Sequence, residues 1–180
     1  MTDRENTIEI IDSFHNDLKI AKERLYDKCG FDITNPSVNI ESVEYGACLF
    51  HLNGKKIIHR VSKITPTKSG QFVTIWQRNQ DGITEPFHIQ DDFDFIVITV
   101  KSKDNFGQFF FPKTVLAAKG IVSTNAKTGK RGIRVYSPWD IVVSKQAVKT
   151  QNWQTSYFLK ITDDSSTDLL LAENLLMNKI

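Results

Sequence analysis

Two groups of basic residues near the middle of the chain carry side chains that can bind phosphate. The first group is Arg60, Lys63, Lys68 and Arg78, and the second is Lys130, Arg131 and Arg134, followed by Trp139. Lysine and arginine attract the phosphates of nucleic acids, and aromatic rings stack on unpaired bases. The sequence therefore predicts a surface for DNA, RNA or another polyanion. The alternative is that these cations are solvated strand ends and that tryptophan belongs to the core, as is more common.

Charge is unevenly distributed along the sequence. The net charge is only +2, but residues 54–134 contain 14 Lys or Arg against 6 Asp or Glu, a difference of +8. The rest of the chain contains 9 basic and 15 acidic residues, a difference of −6. A basic middle between acidic flanks is typical of a polarised surface that attracts anions.

Motifs for several other kinds of chemistry do not occur in the sequence. There is no GxSxG, HExxH or GxGxxG. Residues 124–131 resemble a phosphate-binding P-loop only in part, because Thr124 replaces its first glycine and Arg131 its Ser/Thr. The two cysteines, Cys29 and Cys48, lack the spacing of a zinc site or a disulfide framework.

Length and composition predict a single globular domain over residues 1–180. The chain is 40% hydrophobic and 24% charged, which excludes a disordered or fibrous protein. No apolar run approaches the roughly 20 residues of a membrane span. The charged N-terminus lacks the pattern of a secretory signal, and the scarcity of cysteine fits a reducing compartment. We therefore expect a cytoplasmic protein that contacts no membrane.

Hydrophobic periodicity and turn residues predict the first elements. Apolar residues recur every three or four positions from Ile11 to Leu25, which is typical of one face of a helix. The dipeptide Asn53-Gly54 predicts a tight hairpin turn, because both positions tolerate positive φ. The predicted elements are a helix over 1–30 that packs on the core, a loop over 31–40, and hairpin strands over 47–52 and 55–64.

The second half of the chain has the pattern of mixed strands and helices. The apolar run from Phe93 to Val100 predicts a central strand. Pro112 should end the following strand, because proline cannot donate a hydrogen bond to the sheet. The other predicted elements are strands over 71–78, 83–89 and 133–136, helices over 114–119 and from 144 to 153 or 160, and a C-terminal segment over 165–180.

Five stretches of the sequence resemble one bacterial protein family. They are residues 40–79 (IESVEYGACLFHLNGKKIIHRVSKITPTKSGQFVTIWQRN), 85–100 (EPFHIQDDFDFIVITV), 107–121 (GQFFFPKTVLAAKGI), 129–140 (GKRGIRVYSPWD) and 147–159 (AVKTQNWQTSYFL). Their order and spacing resemble the MepB-like proteins, with a family core over about 40–160. The resemblance implies no established activity. It implies an α/β fold with a mixed sheet of the restriction-endonuclease-like (tRNA-endonuclease-like) type, a three-layer core with an added antiparallel hairpin.

The implied fold invites comparison with the PD-(D/E)XK pattern of nucleases. In that pattern a carboxylate begins one core strand, and a second carboxylate precedes a lysine by two residues at the end of the next strand. The carboxylates hold Mg²⁺, which activates water. Asp94 and Lys113 match the first carboxylate and the lysine, and antiparallel pairing would bring them to the same end. Phe111 stands where the second carboxylate belongs, and it cannot bind a cation.

A carboxylate from elsewhere in the chain could complete such a site. The candidate Mg²⁺ ligands are Asp92 and Glu44 beside Asp94, with Asp91 and Glu41 as further sources. The alternatives are that residues 91–94 form a solvated acidic turn before the strand, or that they form ion pairs with the basic segments.

Three functions are therefore compatible with the sequence. The first is binding of nucleic acid or another polyanion on a degenerate nuclease-like scaffold. The second is an active Mg²⁺-dependent nuclease, which requires Asp94, Lys113 and a further carboxylate to converge. The third is a non-enzymatic accessory protein that binds a small anion or a protein partner, and it requires a small concave pocket rather than a groove as wide as a duplex.

Overall fold

The computed structural model describes residues 3–38, 40–164 and 166–179, so residues 1, 2, 165 and 180 of the predicted terminal segments lie outside it. The α-helices are α1 (Asp3–Asp12), α2 (Asn16–Ala21), α3 (Lys113–Ala118), α4 (Lys145–Gln154) and α5 (Leu169–Leu176). A π-helix (Lys22–Tyr26) continues α2, and two 3-10 helices span Ile40–Tyr45 and Thr155–Tyr157. The strands are β1 (Ile33–Val38), β2 (Cys48–Leu52), β3 (Lys55–Val61), β4 (Lys63–Ile64), β5 (Gln71–Thr74), β6 (Trp76–Arg78), β7 (Thr84–Pro86), β8 (Phe95–Ser102), β9 (Asn105–Pro112), β10 (Gly132–Val135) and β11 (Phe158–Lys160). None of the described helices is long and apolar enough to cross a membrane.

Six strands form one mixed sheet in the order β1-β2-β3-β8-β9-β11. Strands β3 and β8 are parallel, and the other neighbours are antiparallel. The predicted hairpin is confirmed as β2 and β3, with Asn53 and Gly54 at φ values of 48° and 77°. Strand β8 lies inside the sheet, as its apolar run predicted. The predicted class, a single mixed α/β domain with a mixed sheet, is confirmed.

The sheet separates two hydrophobic cores, so the molecule has three layers. Side chains of β8 alternate between them: Phe95 and Val97 face the first core, and Ile96 and Ile98 face the second. Helices α1, α2 and α5 cover the first core. A second sheet of three strands, in the order β10-β5-β4, covers the second core together with α3 and α4. This alternation follows from the two-residue period of a strand that is buried on both faces.

The N-terminal segment differs from the sequence prediction. It forms two helices rather than one, because the chain turns at Ser13 and starts again at His15, whose side chain accepts the amide hydrogen of Asp17. Residues 31–40 were predicted as a loop, but β1 occupies most of them as an edge strand. Asn35 has a positive φ of 50°, and the pairing with β2 contains a bulge between Thr34 and Ser37. The turn-forming residues are therefore accommodated inside a strand.

Two later elements also differ from the prediction. The strand predicted over 71–78 is divided at Ile75, so that β5 pairs with β4 and β10 while β6 pairs with β7 in a separate two-stranded sheet. The helix that begins after Ser144 does not continue to residue 160. Strand β11 pairs there with β9, where Phe158 packs on Phe109 with ring centroids 4.8 Å apart.

A line of hydrogen bonds joins buried polar residues across the main sheet. Tyr26 donates to Gln108 Oε1 (2.8 Å), Gln108 Nε2 donates to Thr99 Oγ1 (2.9 Å), and Thr99 lies 2.8 Å from His59 Nε2. His59 Nδ1 is 2.9 Å from the carbonyl oxygen of Gly46. Because a carbonyl oxygen can only accept, Nδ1 carries the proton and Nε2 accepts the Thr99 hydroxyl. This arrangement requires a neutral imidazole, and burial lowers the pKa of His59 to about 3.

The buried imidazole predicts a loss of stability in mild acid. The folded pKa of about 3 is below the ordinary value of 6.5, so between these values the unfolded chain takes up a proton that the folded chain does not. The contribution of His59 to the free energy of unfolding is fully present above pH 6.5. Below that pH it falls by about 1.4 kcal/mol per pH unit. Urea unfolding at intervals from pH 7 to 5 should show this slope. In His59→Gln the new side chain can donate and accept but does not titrate, so the slope of stability against pH should be smaller by that amount. An unchanged slope would mean that other groups cause it.

Candidate functional site

A basic groove lies on the outer side of the three-stranded sheet, between that sheet and α4, with a cavity volume of about 520 Å³. Its cationic side chains are Lys68, Lys119, Lys130 and Arg134, and its aromatic side chains are Phe72, Tyr136 and Trp153. Helix α4 adds the polar side chains Ser144, Gln146, Thr150 and Gln154. Among the described residues, no aspartate or glutamate lines the groove.

The four cations of the basic groove come from separate places in the chain. Lys68 lies in the loop between β4 and β5, Lys119 follows α3, and Lys130 precedes Arg134, which is in β10. Within the described part of the chain, none of the four forms an ion pair with a carboxylate. Positive charges held together without counter-charges create a local potential that attracts anions.

Arg134 is held in a defined orientation by the β4–β5 loop. Its Nη1 donates to the carbonyl oxygens of Ser69 (3.1 Å) and Gly70 (3.2 Å), and its Nη2 donates to the hydroxyl of Thr65. Its Nε has no acceptor among the described residues. A planar guanidinium that is already fixed loses little further freedom when it binds a phosphate oxygen.

Two aromatic rings of the groove lie directly against glycines. A Cβ atom at Gly132 would be 2.7 Å from Cζ of Phe72, and a Cβ atom at Gly70 would be 2.5 Å from Cδ1 of Tyr136. Any larger residue at either position would therefore displace the ring. Phe72 is also the cross-strand partner of Arg134, so an aromatic ring and a fixed guanidinium are neighbours on one face of the sheet.

Helix α4 forms the opposite side of the groove. It begins at Ser144, whose hydroxyl accepts the amide hydrogen of Ala147 at 3.1 Å. The N-terminus of a helix carries a partial positive charge, which adds to the potential of the four cations. At the other end, the buried amide of Gln154 binds the amide hydrogen of Tyr136 (2.8 Å) and the carbonyl oxygen of Arg134 (3.0 Å). The groove therefore has two sides that are joined by hydrogen bonds.

Comparisons with known proteins place the chain in a family. The MepB-like family model matches residues 39–160. The chain belongs to the MepB-like family. A crystal structure of MepB is similar to it with a TM-score of 0.70 and 28% sequence identity, covering 92% of this chain and 100% of that one. No curated protein matches the chain.

A bacterial homing endonuclease is also similar in structure to this MepB-like chain, with a TM-score of 0.43 and 17% identity over 90% of this chain and 91% of that one. Similarity at that level says nothing about function. The mixed α/β class is confirmed by the strand order described above, and the more specific restriction-endonuclease-like assignment stays a prediction.

Arg60 does not belong to the exposed surface that the sequence predicted. It is only 4% exposed, and its guanidinium donates to the carbonyl oxygens of His59 (2.8 Å) and Trp76 (3.4 Å). It also lies over the ring of Phe87 at 6.0 Å. Burial lowers its pKa to about 10. In this MepB-like protein Arg60 joins the main sheet to the neighbouring β6 segment.

Four other residues of the predicted surface also lie outside the groove. Lys63 pairs with Glu44 at 2.7 Å, and Arg78 pairs with Glu41 at 2.6 Å. The other two are Arg131, which donates to the carbonyl oxygen of Thr84 (2.9 Å), and Trp139, whose ring packs edge-on against Phe158. Of the eight predicted residues, the structure brings together Lys68, Lys130 and Arg134.

The predicted nuclease half-site is only partly assembled. The amide of Lys113 donates to the carbonyl oxygen of Asp94 at 2.9 Å, so the two residues lie at the same end of the β8–β9 hairpin, as predicted. Their side chains form no ion pair with each other. The carboxylate of Asp94 accepts the amide hydrogen of Lys56 (2.8 Å), and the ammonium of Lys113 donates to the carbonyl oxygen of Asp91 (2.8 Å).

The other two proposed metal ligands each form an ion pair with a lysine. Asp92 pairs with the ammonium of Lys56, whose hydrogen bond lowers the pKa of this carboxyl. Glu44 pairs with Lys63. In the part of the chain that the structure describes, no group of three or more His, Cys, Asp or Glu side chains could hold a metal ion. Phe111, at the position of the second carboxylate, is fully buried and stacks on Phe109 at 5.1 Å.

Four of the cationic and aromatic residues that line the basic groove are not among the eight predicted residues: Phe72, Lys119, Tyr136 and Trp153. Phe72 could have been found from the alternation of its strand, because Val73 and Ile75 face the core and leave an aromatic residue on the other face. The sequence around Lys119 did not indicate a groove residue, because a lysine before Gly120 is typical of the end of a helix. Its ammonium lies 5.4 Å from the ring of Trp153, a contact between distant segments that spacing does not predict.

Proposed function

We propose that this MepB-like protein binds a polyanion, DNA or RNA, in the basic groove. The observation that carries the proposal is a cavity lined by Lys68, Lys119, Lys130 and Arg134 and, among the described residues, by no carboxylate. A protein that needed only solubility would mix charges of both signs on such a surface. Phosphates provide the counter-charges that the groove lacks.

Binding is better supported than cleavage. A metal-dependent nuclease needs carboxylates that converge on a cation. The side chains of Asp92, Asp94 and Glu44 have other partners, and Phe111 belongs to the core. A scaffold that holds its ligand without cutting it is consistent with these contacts.

A second candidate is a small phosphorylated molecule. The cavity of about 520 Å³ falls within the usual size of small-molecule sites, roughly 300–1,000 Å³. Such a ligand would use the same cations as a polymer, so the two candidates differ in how affinity depends on ligand length. If the ligand is a polymer, affinity increases with the number of phosphates. If it is a small molecule, a single nucleotide already binds with the full affinity.

The proposal predicts binding that weakens steeply with salt. Fluorescence anisotropy with labelled DNA and RNA oligonucleotides should give a plot of log affinity against log salt with a slope of about −3, if four cations each meet one phosphate of a single strand. Competition with a mononucleotide and with inorganic phosphate tests the second candidate. If neither oligonucleotides nor these small anions bind at low salt, both candidates are wrong.

A further inference from the structure

We infer that the ligand of the basic groove is a single strand of nucleic acid, whose bases stack on Phe72 and Tyr136 while Arg134 and the neighbouring lysines hold its phosphates. This inference rests on the proposed function and goes further, because it names the form of nucleic acid and the residues that contact its bases. The cations alone would suit any polyanion.

The backbone of the protein supports both rings. Each lies against a glycine backbone, Phe72 on Gly132 and Tyr136 on Gly70. Each ring also lines the groove. A ring that the backbone supports and that lines a cavity can serve as a platform on which a flat base stacks. Phe72 is partly exposed, although an aromatic side chain on a three-stranded sheet would normally be buried.

A ring and a cation are neighbours on the three-stranded sheet. Phe72 on β5 is directly opposite Arg134 on β10 and opposite Lys63 on β4, so the three form one row across the sheet. Direct cross-strand neighbours have Cβ atoms about 5 Å apart. One nucleotide is therefore long enough to stack its base on Phe72 and to place its phosphate near Arg134.

The groove favours unpaired bases over a duplex. A duplex keeps its bases paired and stacked inside, so Phe72 and Tyr136 could not reach the faces of its bases. All four cations and both rings line the same cavity, and the segments that carry Lys119 and Lys130 are neighbours, since the amide of Lys130 donates to the carbonyl oxygen of Ile121 at 2.8 Å. Unpaired bases are the parts of a nucleic acid that fit both the rings and the volume.

The test compares three ligands of equal length: a single strand, a duplex, and an abasic strand that has the same phosphates but no bases. With the wild-type chain at one salt concentration, the single strand should bind at least about tenfold more tightly than the abasic strand. If the abasic strand or the duplex binds as tightly as the single strand, the stacking inference is wrong and the proposed polyanion binding remains. If none of the three binds, both are wrong.

Single substitutions test which side chains contact the bases. Phe72→Leu and Tyr136→Leu should each weaken binding of the single strand by about tenfold, with no change in the slope against salt, because no cation is removed. Tyr136→Phe keeps the ring and should retain the affinity. The matched control is Trp76→Leu, which removes a ring that lies under Arg78 outside the groove and should leave binding unchanged. Loss of affinity in Trp76→Leu equal to that in Phe72→Leu would contradict the assignment.

Discussion

The double variant Lys68→Glu/Lys130→Glu is expected to bind a single-stranded oligonucleotide at least about a hundredfold more weakly than the wild-type chain. The two ammonium groups line the basic groove and have no carboxylate partner within the described part of the chain. Their replacement removes two attractive contacts and introduces two repulsive ones. The slope of log affinity against log salt should become shallower by about 1.4, because each lost phosphate contact on a single strand accounts for about 0.7. Anisotropy titrations at several salt concentrations measure both quantities.

The control for this variant has the same change in net charge elsewhere on the surface. Lys160 and Lys179 are exposed, do not line the groove and have no ion-pair partner among the described residues. Lys160→Glu/Lys179→Glu should reduce affinity only slightly, through the general field of the protein, which salt screens over about 10 Å. Equal losses in the two double variants would mean that net charge, rather than the groove, determines binding.

Phe111→Glu is expected to reduce the free energy of unfolding by about 4 kcal/mol or more. The substitution restores the carboxylate that the nuclease pattern requires two residues before Lys113. The position is fully buried, with the ring of Phe109 at 5.1 Å and that of Trp153 at 5.3 Å. A glutamate there would lose its hydration without gaining a partner, so urea unfolding should show a large loss of stability.

Phe111→Leu serves as the comparison, because it keeps an apolar side chain at the same site and should cost only about 1 kcal/mol. The difference between the two variants isolates the effect of the buried carboxylate from that of lost volume. A Phe111→Glu protein that is as stable as Phe111→Leu, and that Mg²⁺ stabilises further, would show instead that the position faces a latent metal site.

The parts of the fold that the sequence predicted are those with strong local signals. Asn53 and Gly54 specify a tight turn by their tolerance of positive φ, and the apolar run of β8 specifies a strand buried on both faces. Strand β1 could not be predicted in the same way. Its turn-forming residues favour a loop locally, and only pairing with β2 holds them in a bulged strand. Tertiary pairing overrode local preference there.

Prediction of the site was limited because the position of a charged residue in the sequence does not show whether its side chain is exposed. Arg60 and Lys68 are both basic residues of the same stretch of sequence. Arg60 is nevertheless buried, whereas Lys68 lines the groove. Trp139 and Trp153 are equally aromatic, but only the second lines the groove. The distinction depends on which face of which sheet each residue occupies. Strand alternation supplies that information for Phe72, whereas contacts between distant segments supply it for Lys119.

The two edges of the six-stranded sheet also bear on how the protein behaves at high concentration. At the outer edge, Asn35 and Pro36 of β1 together oppose Phe50, and the proline has no N–H to offer another chain. At the other edge, β11 is only three residues long. Long regular edge strands are the templates on which further copies add during aggregation, and bulges, prolines and short strands remove them. The six-stranded sheet therefore offers little ladder along which another copy could pair, so we expect titrations at high protein concentration to remain free of aggregates that grow from its edges.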